Sequence, residues 1–93
     1  MEEIIWSPIA TQDLREIYHY IREDSELYAS RLIDKIVERI EILQKMPRAG
    51  KVVVEFEDEN IRELIEGNYR IIYLIAADSI EIVRIHHGAR LLK

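Results

Sequence analysis

The sequence predicts an α+β fold of β-α-α-β-β-β order, with a two-helix hairpin packed on one face of an antiparallel sheet of three to four strands. Three observations carry this. The apolar spacing is helical through the first half of the chain. It turns strand-like after Gly50, and Gly67-Asn68 and Ala77-Asp78-Ser79 punctuate the second half as two consecutive hairpins. A chain of 93 residues that is 48% hydrophobic and 33% charged, with no internal repeat or linker, fits a single domain spanning 1–93.

Met1 to Trp6 is too short for a helix, and Ile4-Ile5-Trp6 has the β-branched and aromatic content of a strand that adds to a sheet edge. Ser7 is a good N-cap and Pro8 suits the first helical position, where its missing N–H costs nothing. Ala10, Leu14, Ile17 and Ile21 then form one apolar stripe. After a short connection at residues 23–26, where Asp24 and Ser25 offer new caps, Ala29, Leu32, Ile33, Ile36, Val37, Ile40, Leu43 and Met46 form a second, longer stripe that Pro47 and Gly50 end. The short connection makes the two helices antiparallel. Val52-Val53-Val54-Glu55-Phe56, Ile61–Ile65, Tyr69–Ala76 and Ile80–His87 are the strand candidates of the second half.

Composition excludes several classes of function. With no cysteine, the chain has no disulfide, thiol catalysis or cysteine-based metal site, and suits a reducing, cytoplasmic compartment. The acidic start lacks the basic character of a secretory signal, and no apolar run approaches the ~20 residues of a membrane span. A net charge of −5 opposes bulk electrostatic binding of nucleic acid. The charge is polarised: Glu55, Glu57, Asp58, Glu59, Glu63 and Glu66 crowd twelve positions, whereas the end of the chain carries Arg84, His86, His87, Arg90 and Lys93. There is no P-loop, GxGxxG, HExxH or GxSxG motif, and no sign of a metal or organic cofactor. His19, between Tyr18 and Tyr20, reads as a helix-surface residue, and the tyrosines as core edges or interface residues.

Arg70 interrupts an apolar strand and therefore needs a carboxylate, solvent or a functional surface. A three-residue turn at 77–79 sets it opposite His86, and a two-residue turn at Asp78-Ser79 sets it opposite His87. A two-residue Gly67-Asn68 turn puts Arg62 on the other face from Arg70; a three-residue turn puts the two together. In the second register Arg62, Arg70, one histidine and Arg90 form a cationic cluster of the kind that phosphodiester cleavage needs. The alternative is structural ion pairing of Arg62 and Arg70 with Glu63 and Glu66.

Trp6-Ser7-Pro8 with Asp13-Leu14 and Ile17, Leu43-Gln44-Lys45-Met46-Pro47-Arg48-Ala49-Gly50, Ile61-Arg62-Glu63-Leu64, Tyr69-Arg70-Ile71-Ile72-Tyr73 and His87-Gly88-Ala89-Arg90 together resemble the RelE/ParE superfamily of bacterial and archaeal toxins. The resemblance implies the toxin half of a type II toxin–antitoxin module, often described as a plasmid stabilisation protein, held silent by an antitoxin. The tail is similar to the ParE-like branch, which implies poisoning of DNA gyrase without turnover, with Arg84, His87, Arg90 and Lys93 as effector surface. The RelE-like alternative implies an mRNA endoribonuclease acting on the ribosome. Arg62 and Arg70 would then bind phosphate, His86 or His87 transfer a proton, and Arg90 support the transition state. A third reading is a non-toxic binding module of the same fold. The apolar helix pair is a candidate surface for homodimerisation of the free chain.

Overall fold

The computed structural model describes residues 2–88. The elements are β1 (Glu3–Trp6), α1 (Pro8–Arg22), α2 (Glu26–Ile42), β2 (Lys51–Val52), β3 (Ile61–Glu66), β4 (Tyr69–Ile75) and β5 (Ser79–His87). They build one five-stranded sheet of order β1-β5-β4-β3-β2. This corrects the expected three to four antiparallel strands. β1 lies parallel to β5, with Glu3 opposite Ser79 and Trp6 opposite Ile82, and every other neighbouring pair is antiparallel. Parallel neighbours need a long crossover, and here nearly the whole chain supplies it.

Both helices start as the sequence directs. Ser7 Oγ accepts from Ala10 N, and Ser25 Oγ accepts from Tyr28 N, each satisfying an N–H that the first helical turn leaves open. Ser7 has a second role, since its Oγ donates to Val83 O and its N–H to Ile82 O. The residue that starts α1 therefore also ties it to β5. α2 ends at Ile42, so Met46 lies beyond the helix and is exposed rather than part of the apolar stripe.

The core lies between the helix pair and one sheet face. Ala10, Leu32, Ile36, Ile40 and Leu43 meet Leu64, Ile71, Tyr73, Ile80, Ile82 and Ile85, with Trp6, Leu14, Ile17 and Ile21 packed around them. Tyr73 is fully buried without an orphaned hydroxyl. It accepts from Gly50 N at 2.9 Å and donates to Pro47 O at 2.7 Å, which holds the α2–β2 connection against the sheet. A Cβ at Gly50 would stand 2.5 Å from Glu63 O and 2.7 Å from that hydroxyl, so only glycine fits there.

Of the strand candidate Val52-Val53-Val54-Glu55-Phe56 only Val52, with Lys51 before it, pairs with β3; Val53 N still donates to Ile61 O, and the chain turns from residue 54 on. The Gly67-Asn68 connection is the two-residue turn, pairing Glu66 with Tyr69 and Ile65 with Arg70, with Gly67 at φ 58°. Neither expected turn at 77–79 is correct, because Ile75 pairs with Ile80. A register shift beyond Tyr73 leaves Val83 as an extra residue, and it is this bulge that sets Arg70 opposite His86.

Candidate functional site

Alternation along β3 and β4 places Arg62 with Leu64 and Tyr73 on the helix side, and Arg70 with Glu63 on the other face. The cationic cluster of the three-residue register therefore does not form from these two arginines.

Arg70 is the centre of a carboxylate clamp. Its Nε and Nη2 donate to the two oxygens of Glu63 at 2.9 and 2.8 Å, and Nη1 and Nη2 donate to Glu55 at 3.0 and 3.3 Å. Glu63 is buried, and a paired guanidinium is what makes a charged carboxylate tolerable there. The hydrogen bonds to Glu63 and then Glu55 hold the Arg70 guanidinium further above its ordinary pKa, and the Arg70 bond lowers the Glu55 carboxyl. Two carboxylates on one guanidinium leave the group with a net negative charge. Glu66, expected as an alternative partner, lies instead beside Arg39, 3.8 Å from its Nε.

Arg62 pairs with no carboxylate among the described residues. Its Nε donates to Glu59 O at 2.9 Å and its Nη1 to Gly50 O at 3.0 Å, joining the loop before β3 to the start of β2. The guanidinium serves two backbone carbonyls that no strand satisfies.

A different constellation lies at the far end of β5. The Asp13 carboxylate is buried and accepts three bonds, from Arg84 Nε at 2.9 Å, Arg84 Nη2 at 3.1 Å and the Ile85 N–H at 2.9 Å. β1 stops opposite Ile82, and Asp13 takes over as partner of the β5 edge. Its hydrogen bonds raise the Arg84 pKa. Above it opens a cleft of about 610 Å3 lined by Asp13, Glu16, Tyr20, Tyr69, Arg84 and His87, among others. Tyr69 and His87 meet edge to face, with ring centroids 5.6 Å apart. Burial, then the nearby Tyr20 and Tyr28, push the Tyr69 hydroxyl up from its ordinary pKa.

Arg84, His86 and His87 thus gather at this cleft, Arg70 stands across from His86, and Arg62 stands apart. Arg90 and Lys93 lie outside the described residues. Sequence reasoning missed Asp13 and Glu55. Asp13 sits between Ala10 and Ile17 at helical spacing, so an acid on the buried stripe was the available signal. Glu55 carried no such signal, because its approach to Arg70 depends on the fold of the 53–60 loop. Among the described residues no group of three or more histidines and carboxylates is placed to hold a metal ion, and no helix is long and apolar enough to cross a membrane.

Residues 4–92 match the family model described as ParE toxin of type II toxin–antitoxin system, parDE. The chain is 33% identical over 92 residues to Toxin RelE2 of Caulobacter vibrioides, covering 98% of this chain and all of the relative. Its structure is similar to that of a chromosomal ParDE toxin–antitoxin system from P. aeruginosa, with a TM-score of 0.76 at 27% identity over 94% of this chain and 96% of the other.

Proposed function

We propose, from the premise that the chain belongs to the family of ParE toxins of type II toxin–antitoxin systems, that it arrests bacterial growth by ParE-like poisoning of DNA gyrase. It does so by binding rather than by turnover, in the cytoplasm, and a cognate antitoxin neutralises it. The effector surface combines Arg84 and His87, near the end of β5, with Arg90 and Lys93 of the C-terminal segment.

The observation that carries this reading is the clamp on Arg70. A guanidinium whose Nε, Nη1 and Nη2 all donate to Glu63 and Glu55 has to give up a carboxylate before it takes a phosphate. Arg62 is likewise committed to backbone carbonyls. The two carboxylates thus neutralise Arg70, and Arg62 stands on the opposite face with its Nε and Nη1 on carbonyls, which supports a binding mechanism. The position of His86 opposite Arg70 favours a second reading, the ribosome-dependent mRNA endoribonuclease with Arg62, Arg70, His86, His87 and Arg90 as its catalytic set.

Inducible expression in a bacterial host, with a DNA-damage reporter followed beside growth, separates the readings. Gyrase poisoning gives arrest with strong reporter induction, and Arg84→Ala with His87→Ala relieves both while Arg70→Ala leaves damage signalling in whatever protein still folds. Arrest with a silent reporter and cleaved mRNA overturns it in favour of the nuclease. Folded protein without arrest in hosts of several lineages supports the non-toxic module instead.

A further inference from the structure

We propose that the cleft between α1 and the end of β5 receives one cationic side chain, an arginine, from a protein partner. The inference rests on the reading that an antitoxin binds this chain, and adds the chemistry of one anchor in that contact. The cleft is large enough, at about 610 Å3, for a side chain or for a whole nucleotide, so size does not choose between them.

Charge and wall chemistry do. Among the described lining residues Asp13 and Glu16 face the guanidinium of Arg84, which Asp13 holds through two hydrogen bonds, with His86 and His87 beside them. Glu16, whose charge also acts on Arg84, lies on an exposed position of α1, where Gln12 Nε2 donates to it at a long 3.3 Å. A phosphate entering here meets the Glu16 carboxylate and a guanidinium already held by Asp13, whereas a guanidinium meets an accessible carboxylate. The walls agree with this. Tyr20, 74% exposed, offers an aromatic ring to a cation, and Tyr69, in T-shaped contact with His87, lines the same cleft. Arginine suits them better than lysine, because its planar group stacks on a ring while its N–H groups reach a carboxylate.

The test uses the isotopically labelled full chain alone, titrated with N-acetyl-arginine methylamide and, separately, with N-acetyl-glutamate methylamide and uridine 5′-monophosphate, and read by amide chemical shifts. The expected result is saturable shifts with the arginine compound centred on Glu16, Tyr20, Tyr69 and Ile85. Glu16→Gln and Tyr20→Ala, both at exposed positions where folding is undisturbed, should each weaken that binding roughly threefold. No saturable shift with arginine, tighter binding of the nucleotide, or shifts unchanged in both variants would overturn the proposal. Because no antitoxin is present, these outcomes stand apart from the antitoxin reading, which fails only if no partner protein relieves the growth arrest.

Discussion

The two helices each lend one charged residue to an unfinished sheet edge, and they do it with unequal success. On α1, Asp13 meets β5 just past the point where β1 stops, and accepts three short hydrogen bonds in a buried position. On α2, Arg39 meets β3 beyond its pairing with β2, which reaches only Arg62 and Glu63. Its Nη2 donates to Ile65 O at a long 3.3 Å, while its Nε is buried without a hydrogen bond among the described residues, 3.8 Å from Glu66. A small carboxylate close to the edge satisfies a backbone N–H and an arginine together. A long guanidinium reaching over an edge holds one carbonyl poorly and leaves a donor unmet. The β5 edge is fastened, and the β3 edge is merely covered.

Asp13→Ala is the most severe way to break this contrast. It strips the partner from Arg84 and the acceptor from Ile85 N–H, and should cost about 3 kcal/mol in denaturant unfolding. Asp13→Asn, which keeps an acceptor for the Ile85 amide, should recover part of that loss. Next comes Glu63→Ala, expected to cost about 2 kcal/mol because Arg70 then keeps only the loop carboxylate of Glu55. An equal loss from this variant and Asp13→Ala would show that edge capping adds nothing to ion pairing.

Tyr73→Phe removes the two hydrogen bonds that hold the connection into β2, at about 1–2 kcal/mol. It also has a pH signature. Burial raises the Tyr73 pKa in the folded chain, so its stabilising contribution is complete below the ordinary tyrosine value of about 10 and declines as pH rises through the higher native value. Alkaline unfolding titrations of the phenylalanine variant should show a shallower slope in that window. The smallest effect is Arg39→Ala, within about 0.5 kcal/mol, as expected for a half-exposed pair of poor geometry. A loss as large as that of Asp13→Ala would erase the distinction between the edges.

The helix hairpin was legible because caps and apolar spacing are local: Ser7, Pro8 and Ser25 start the helices in the structure where they do in the sequence. The Gly67-Asn68 hairpin was open between two registers, and the backbone freedom of glycine at φ 58° goes with the shorter turn. What escaped depends on distant partners. β1 looked like an edge strand, and it is one, but its parallel pairing with β5 follows from how the helices return the chain. The Val83 bulge has no residue signature, and without it the turn at the Ile75–Ile80 pair would set Arg70 opposite Ile85 rather than His86. Of the candidate site, the ion pair of Arg70 with Glu63 was among the alternatives the residue types offered, whereas Glu55 and Asp13 were hidden in a loop and in a helix stripe.

The pairing of β1 with β5 also dictates an order of events during synthesis. Ser7 Oγ and Val83 O, joined across 76 positions, cannot meet until β5 has been made. The first strand therefore leaves the ribosome with no neighbour to pair with, and the helix hairpin, whose contacts are local, is free to form ahead of the sheet it will cover. Closure of the sheet waits on the last strand to emerge, so a chain cut short before β5 lacks both the partner of β1 and the segment from Arg84 onward. A prematurely terminated product is thereby deprived of native structure and of the proposed effector surface at once.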